Sequence, residues 1–160
     1  MPRDEAATVV APEPAAEAVP AAGVRLTISP ARKDLAEALL RPAAVAVIGA
    51  ANDTDTSAGR PLQFLRRHEY QGTIYPISSS RRVVQGAHAW PALSALPGPV
   101  DQALILLEDD DAALDAVEAC GRARIPVAVL HGALTNGGHV VAGARRERLV
   151  EAGRRHDVRI

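Results

Sequence analysis

The stretch AAVAVIGAANDTDTSAGRPLQFL, residues 43–65, decides the fold. Residues 43–48 are apolar without a break, and the run stops at Gly49. A strand that is apolar on both faces of its pleat fits the centre of a parallel sheet with helices on either side. A loop of small and polar residues follows. Gly59-Arg60-Pro61 then opens a helix, with proline in its first turn and Leu62, Leu65 and His68 or Glu69 at helical spacing. A helix N-terminus beside the carboxyl end of a strand offers N–H groups and partial positive charge, which suits phosphate oxygens.

Short β-like runs alternate with helical patterns along the rest of the chain, without an internal repeat. TIYPI within residues 72–77, residues 102–107 and IPVAVL at 125–130 read as further strands. Residues 109–124, with acids in the first turn, and 140–156 read as helices. Before them, Ser29 and Pro30 are expected to start a helix carrying Leu35, Leu39 and Leu40 on one face, ended by Pro42. Residues 78–98 are irregular, with a short helix expected near 91–96. Residues 157–160 begin a fifth strand that is barely present. Strands alternating with helices imply right-handed βαβ units. The expected fold is therefore α/β: a Rossmann-like three-layer αβα domain with a parallel sheet of about five strands. Its expected core includes Val45, Val47, Ile48, Ile74, Leu104, Ile105, Leu106, Val127 and Val129. Residues 1–26, rich in Ala, Pro and Glu without periodicity, read as a disordered tail, and 27–160 as the domain. A chain stopping as a strand starts is expected to be a fragment of something longer.

Composition narrows the function. The 160 residues are 48% hydrophobic but only 2% aromatic, so the core must be built from Ala, Val, Leu and Ile. Single-stranded nucleic-acid binding needs stacking platforms that this chain lacks. A net charge of −1 offers no general attraction to nucleic acid or to an anionic membrane. No apolar run is long enough to span a bilayer, and the N-terminus has no secretory pattern, so a cytoplasmic location is expected. The single cysteine, Cys120, permits no intrachain disulfide and reads as a small buried hydrophobe.

Ligands of open parallel sheets bind outside the carboxyl ends of the strands. There, Gly49 and Gly59 permit close backbone approach, Ala50 and Ala51 add little bulk, and Arg60, Arg81 and Arg82 supply charge. His131 ends a strand and faces the candidate pocket. The run Glu108-Asp109-Asp110-Asp111 reads as an acidic first turn with one aspartate as N-cap rather than a metal site. Neither G-x-G-x-x-G nor G-x-x-x-x-G-K-[ST] is present, which argues against a standard dinucleotide site and excludes a P-loop.

The ordered series LLRPAAVAVIGAAND (39–53), AGRPLQFL (58–65), YQGTIYPI (70–77), VQGAHAWPALSALPGPVDQALIL (84–106) and VEACGRARIPVAVL (117–130) resembles the CoA-binding domain of NDP-forming acyl-CoA synthetases, relatives of the succinyl-CoA ligase alpha subunit. The likeness covers about residues 36–160. It implies coenzyme A, or acyl-CoA, as the ligand. It places Gly49, Ala50, Ala51 and Asn52 at the CoA phosphates. Ile77, Ser78, Ser79 and Ser80, then Leu107 and Glu108, fall where the family lines the nucleotide and pantetheine. It further implies that the phosphohistidine and ATP-grasp-type parts lie in downstream domains or subunits, so that this chain alone is not catalytic. The sequence departs from the family in four loops. Gly49-Ala50-Ala51 stands for G-A-S, Ile77-Ser78-Ser79-Ser80 for V-N-P-K, Leu107-Glu108-Asp109 for V-P-A, and His131-Gly132-Ala133-Leu134 for S-A-G-F. Two alternatives stay open: a regulatory or interaction domain with a decayed pocket, once fused to an acetyltransferase, and an NAD(P)-binding domain.

Overall fold

The apolar run becomes β1, Ala44–Ile48, with all five residues buried. The computed structural model describes residues 34–131 and 139–160. The expected tail at 1–26, the helix start at Ser29–Pro30, and Gly132, Ala133 and Leu134 lie outside the described residues.

β1 is paired in parallel on both edges. β2, Thr73–Ile77, lies on one side and β5, Gln102–Ile105, on the other, with β6, Val127–Leu130, beyond β5. The order β2-β1-β5-β6 makes a four-stranded parallel sheet. The expected fifth strand is reduced to a single parallel bridge from Val127 to Arg159. Alternation along β1 divides the core. Val45 and Val47 face α2, Arg60–Arg67, through Leu62. Ala44, Ala46 and Ile48 face α3, Asp110–Arg122, and α4, His139–Arg155. These are the three layers.

Local chemistry explains the element boundaries. Asp109 caps α3, its side chain accepting from the Ala112 N–H at 2.8 Å, and Asp110 and Asp111 occupy the positive first turn. The acidic run is thus a helix start, as its sequence suggests, and no group of three or more potential metal ligands occurs among the described residues. Arg145 and Arg148 of α4 pair with Asp110 and Asp111, joining the two helices. Ala113, Ala116, Val117 and Cys120 form the buried stripe of α3. Asp101, in the Pro99-Val100-Asp101 stretch, fastens β1 to β5. Its Oδ2 accepts from the N–H groups of Ala43 (2.6 Å) and Ala44 (3.1 Å), 58 and 57 residues away.

Several expectations change. α1 is Leu35–Leu40, capped by Asp34. Its buried residue is Ala38, while Leu35, Leu39 and Leu40 are exposed. Val129 is also exposed and Ile74 and Leu104 are only half-buried, whereas the other expected core residues are buried. Val129 lies on the outermost full strand, which has one neighbour instead of two. The irregular segment 78–98 contains an unforeseen hairpin. β3, Val83–Val84, pairs antiparallel with β4, Ala87–His88, across a Gln85-Gly86 turn. Both turn residues have positive φ, 49° and 76°, as a tight two-residue hairpin with the sheet's twist requires. The helix expected near 91–96 is a 3₁₀ turn, Leu93–Ala95.

Cys120 is fully buried, and desolvation pushes its thiol up to about 12. The folded state thus favours the neutral thiol. Its contribution to stability is fully present below the unfolded pKa of about 8.5 and is lost as pH rises towards the folded value. A thiol reagent at pH 8 should react with Cys120 only at the rate of unfolding. Immediate stoichiometric reaction of the native protein would contradict this burial.

Candidate functional site

Three connections and the end of β6 lie at the carboxyl edge of the sheet. The chain leaves β1 for β2 on one side and later returns to β5 on the other, so the direction of winding reverses between β1 and β5. Such a reversal opens a crevice at the strand ends. Gly49, Ala50, Ala51, Asn52, Gly59 and Arg60 lie on the β1–α2 connection. Ile77, Ser78, Ser79, Ser80 and Arg81 follow β2, Leu107 and Glu108 follow β5, and His131 follows β6. All the residues expected at the site therefore share one end of the sheet.

Backbone bonds draw the inner ones together. The Gly49 N–H donates to the Ile77 carbonyl (3.2 Å), the Leu106 N–H to Ile48 (2.9 Å) and the His131 N–H to Ile105 (2.9 Å). Gly49 has φ +82°, and a Cβ there would stand 2.7 Å from Leu107 Cδ2. Leu107 thus packs against the turn at the reversal point itself. Ile77 is buried and Ser78 half-buried, while Ser79, Ser80, Arg81, Glu108 and His131 are exposed. His131 ends the outermost full strand, two positions from β1, which sets it at the rim of the crevice.

The β1–α2 loop is folded against itself. The Ala51 N–H donates to Ala58, the Gly59 N–H to Thr56 and the Arg60 N–H to Thr56, at 3.1–3.2 Å. Pro61 has no N–H. The first turn of α2 therefore has few donors left for a ligand, fewer than its sequence suggests. Among the polar groups that face outward are cations. Arg60, Arg81 and Arg82 are exposed and make no ion pair among the described residues.

The residue that sequence reading missed is Gln85, at the tip of the β3–β4 hairpin. Its side-chain amide donates to the carbonyls of Ala51 and Gly59, each at 2.8 Å, and its N–H donates to Asn52 Oδ1 at 2.8 Å. Its carbonyl accepts from Arg66 Nη1 on α2. One residue thus ties both ends of the loop to the hairpin. The hairpin is in turn fixed to β2. The Trp90 N–H donates to Pro76 and the Ser78 N–H to Trp90, each at 2.9 Å, and the Trp90 ring stands edge-on to Tyr75. The one available signal was a Gly86 turn flanked by Val83-Val84 and Ala87-His88, too short to show a period.

Comparison with known proteins agrees with this geometry. The family model described as CoA binding domain matches residues 43–160, a span that includes all of these segments. ADP-forming acetate–CoA ligase I of Archaeoglobus fulgidus is 32% identical over 126 residues, 78% of this chain and 18% of that protein. The alpha subunit of ADP-forming acetate–CoA ligase II of Pyrococcus furiosus is 31% identical over 122 residues, 74% of this chain and 26% of the subunit. Among solved structures, the dinucleotide-forming acetyl-coenzyme A synthetase 1 of Ca. Korarchaeum cryptofilum, in complex with phosphate and ADP, superposes with a TM-score of 0.68 at 29% identity. That match covers 77% of this chain and 26% of that one. The chain spans about a quarter or less of these relatives. No helix among the described residues is long and apolar enough to cross a membrane. With a Rossmann-like sheet, its loops gathered at the reversal point and a match through residues 43–160, the chain belongs to the CoA binding domain family and is related to the ADP-forming acyl-CoA synthetases.

Proposed function

We propose that the chain binds coenzyme A or acyl-CoA in the crevice between β1 and β5 and positions it for acyl transfer. The transfer itself belongs to downstream ligase and ATP-grasp-type domains or subunits. One observation carries this reading: the family match runs through every loop at the carboxyl edge of the sheet. In this arrangement the loop Gly49, Ala50, Ala51, Asn52 and Gly59 approaches the phosphates through its backbone. Arg60 and Arg81 supply unpaired positive charge, and Ser78, Ser79 and Ser80 supply hydroxyls. Ile77 and Leu107 offer apolar wall to the pantetheine, with Glu108 and His131 at the rim. The domain's role is orientation of one reactant, which lowers the entropic part of a barrier without making or breaking bonds.

Titration calorimetry with CoA and with NAD tests it. CoA should bind at least about tenfold tighter, a difference of roughly 1.4 kcal/mol. NAD binding more tightly would overturn the assignment. Binding of neither would favour the second reading, a regulatory or interaction domain. Three features support that second reading: Leu107 packed onto Gly49, the internally bonded amides of Ala51, Gly59 and Arg60, and the acidic residues from Glu108 onward.

A further inference from the structure

Two of the three bonds from Gln85 bracket Asn52, one to its Oδ1 and one to the Ala51 carbonyl of the peptide before it, while the third reaches Gly59. In a trans peptide the carbonyl of one residue and the N–H of the next point in opposite directions across a rigid plane. Gln85 Nε2 holds the Ala51 carbonyl at 2.8 Å on the hairpin side. The N–H of Asn52 therefore points away from the hairpin, and it has no acceptor among the described residues. The other end of Asn52 is fixed by the same residue. Its Oδ1 accepts from the Gln85 N–H at 2.8 Å, which leaves the two hydrogens of Nδ2 as the free end of the side chain. Asn52 is an exposed residue.

We propose that Gln85 is the positioning residue of the site. It orients two donors of Asn52, the main-chain N–H and Nδ2, towards an anionic group of the ligand, a phosphate oxygen of CoA. This rests on the CoA reading above and deepens it. The hairpin is suited to the task because it is anchored independently of the loop. Val84 and Ala89 are buried in the core beside α2, and the Ala89 N–H donates to Arg82. The left-handed conformation at Gln85 and Gly86 turns the tip of the hairpin onto the loop. The Gly59 carbonyl, held by the same Nε2 at 2.8 Å, fixes the far end of the loop, so that the span 51–59 cannot swing as a unit. Loss of the side-chain bonds would free the Ala51–Asn52 peptide to rotate. The donors would then have to be ordered when the ligand binds, at a cost in affinity.

The test uses the whole chain and three variants, Gln85→Met, Gln85→Glu and Asn52→Ala. Methionine keeps the length and the packing but removes both donors. Glutamate keeps the shape but sets a carboxylate against two carbonyl oxygens. CoA affinity is measured by calorimetry, and the Asn52 main-chain amide is followed by ¹⁵N NMR as CoA is added. In the wild type, the Asn52 N–H signal should move downfield on binding. Gln85→Met should lose roughly tenfold in affinity, about the worth of two neutral hydrogen bonds, and Gln85→Glu more. In both, the ligand-induced shift of Asn52 should disappear, an effect that a general loss of stability does not produce. If Gln85→Met fails to fold by circular dichroism, Gln85→Glu and Asn52→Ala decide the matter, and the latter should lose a few-fold. Wild-type protein that binds CoA without moving the Asn52 amide overturns this assignment alone, as does a Gln85→Met variant binding within twofold. Wild-type protein that does not bind CoA overturns the CoA reading and this assignment together.

Discussion

Gly59→Ala should weaken CoA binding by more than about tenfold and destabilise the domain by roughly 1–3 kcal/mol. A Cβ at this position would stand 1.8 Å from the Asp53 carbonyl oxygen, 2.6 Å from its carbon and 3.0 Å from Thr54 Cα. All three are main-chain atoms, so no side chain can swing aside. Gly59 has φ −91°, which any residue adopts, so the demand for glycine is one of space and not of conformation. The Asp53 carbonyl is itself held, accepting from Thr56 Oγ1 at 2.7 Å. Making room requires the loop to open, and opening strains both the Ala51–Ala58 backbone bond and the Gln85 contacts. Calorimetry with CoA and a urea melt check the two effects separately. Unchanged stability would mean that residues 53–59 are not packed as described. Unchanged affinity in a destabilised variant would mean that this loop does not hold the ligand.

Ile105→Ala should cost about 3–4 kcal/mol, a large part of the 5–15 kcal/mol typical of a whole domain. Ile105 is fully buried on β5, between Ile48 of β1 and Leu130 of β6 in register. It packs in the cluster that also holds Val117, Cys120 and Ile125. The same cluster contains Ala44, Ala46, Ala103, Ala113, Ala116, Ala128 and Ala152. Helices and sheet approach closely across these small side chains, and Ile48, Ile77, Ile105, Ile125 and Leu149 fill the space between them. The neighbours lie on paired strands and long helices that cannot collapse easily into the void. Ile105→Val, which removes one methylene, should cost only about 1 kcal/mol. Urea melts of both variants give the comparison. A cost below about 1 kcal/mol for the alanine would show that the core relaxes around it.

What the sequence determined by itself was most of what short-range pattern governs. The unbroken apolar run at 43–48 required a strand covered on both faces, and β1 is that strand. Asp109 with Asp110 and Asp111 read as a helix start because an N-cap and a dipole act within one turn. Cys120 fell on the apolar side of a helix because the period of 3.6 put it there. The alternation of elements was enough for a parallel sheet, and hence for the end of the sheet at which its loops gather. The tertiary structure decided which groups in those loops remain available. The exposed Val129 lies on the outermost full strand, a position that periodicity does not encode. Asp101 fastens β1 across 58 residues, and Gln85 holds the loop across 34 and 26. The hairpin that carries Gln85 has two-residue strands, too short to leave a period. The N–H groups of Ala51, Gly59 and Arg60 looked free for phosphate because each turn residue was read singly. Folded, the loop satisfies them internally, since main-chain donors withdrawn from water must find an acceptor and the nearest carbonyls were those of Thr56 and Ala58.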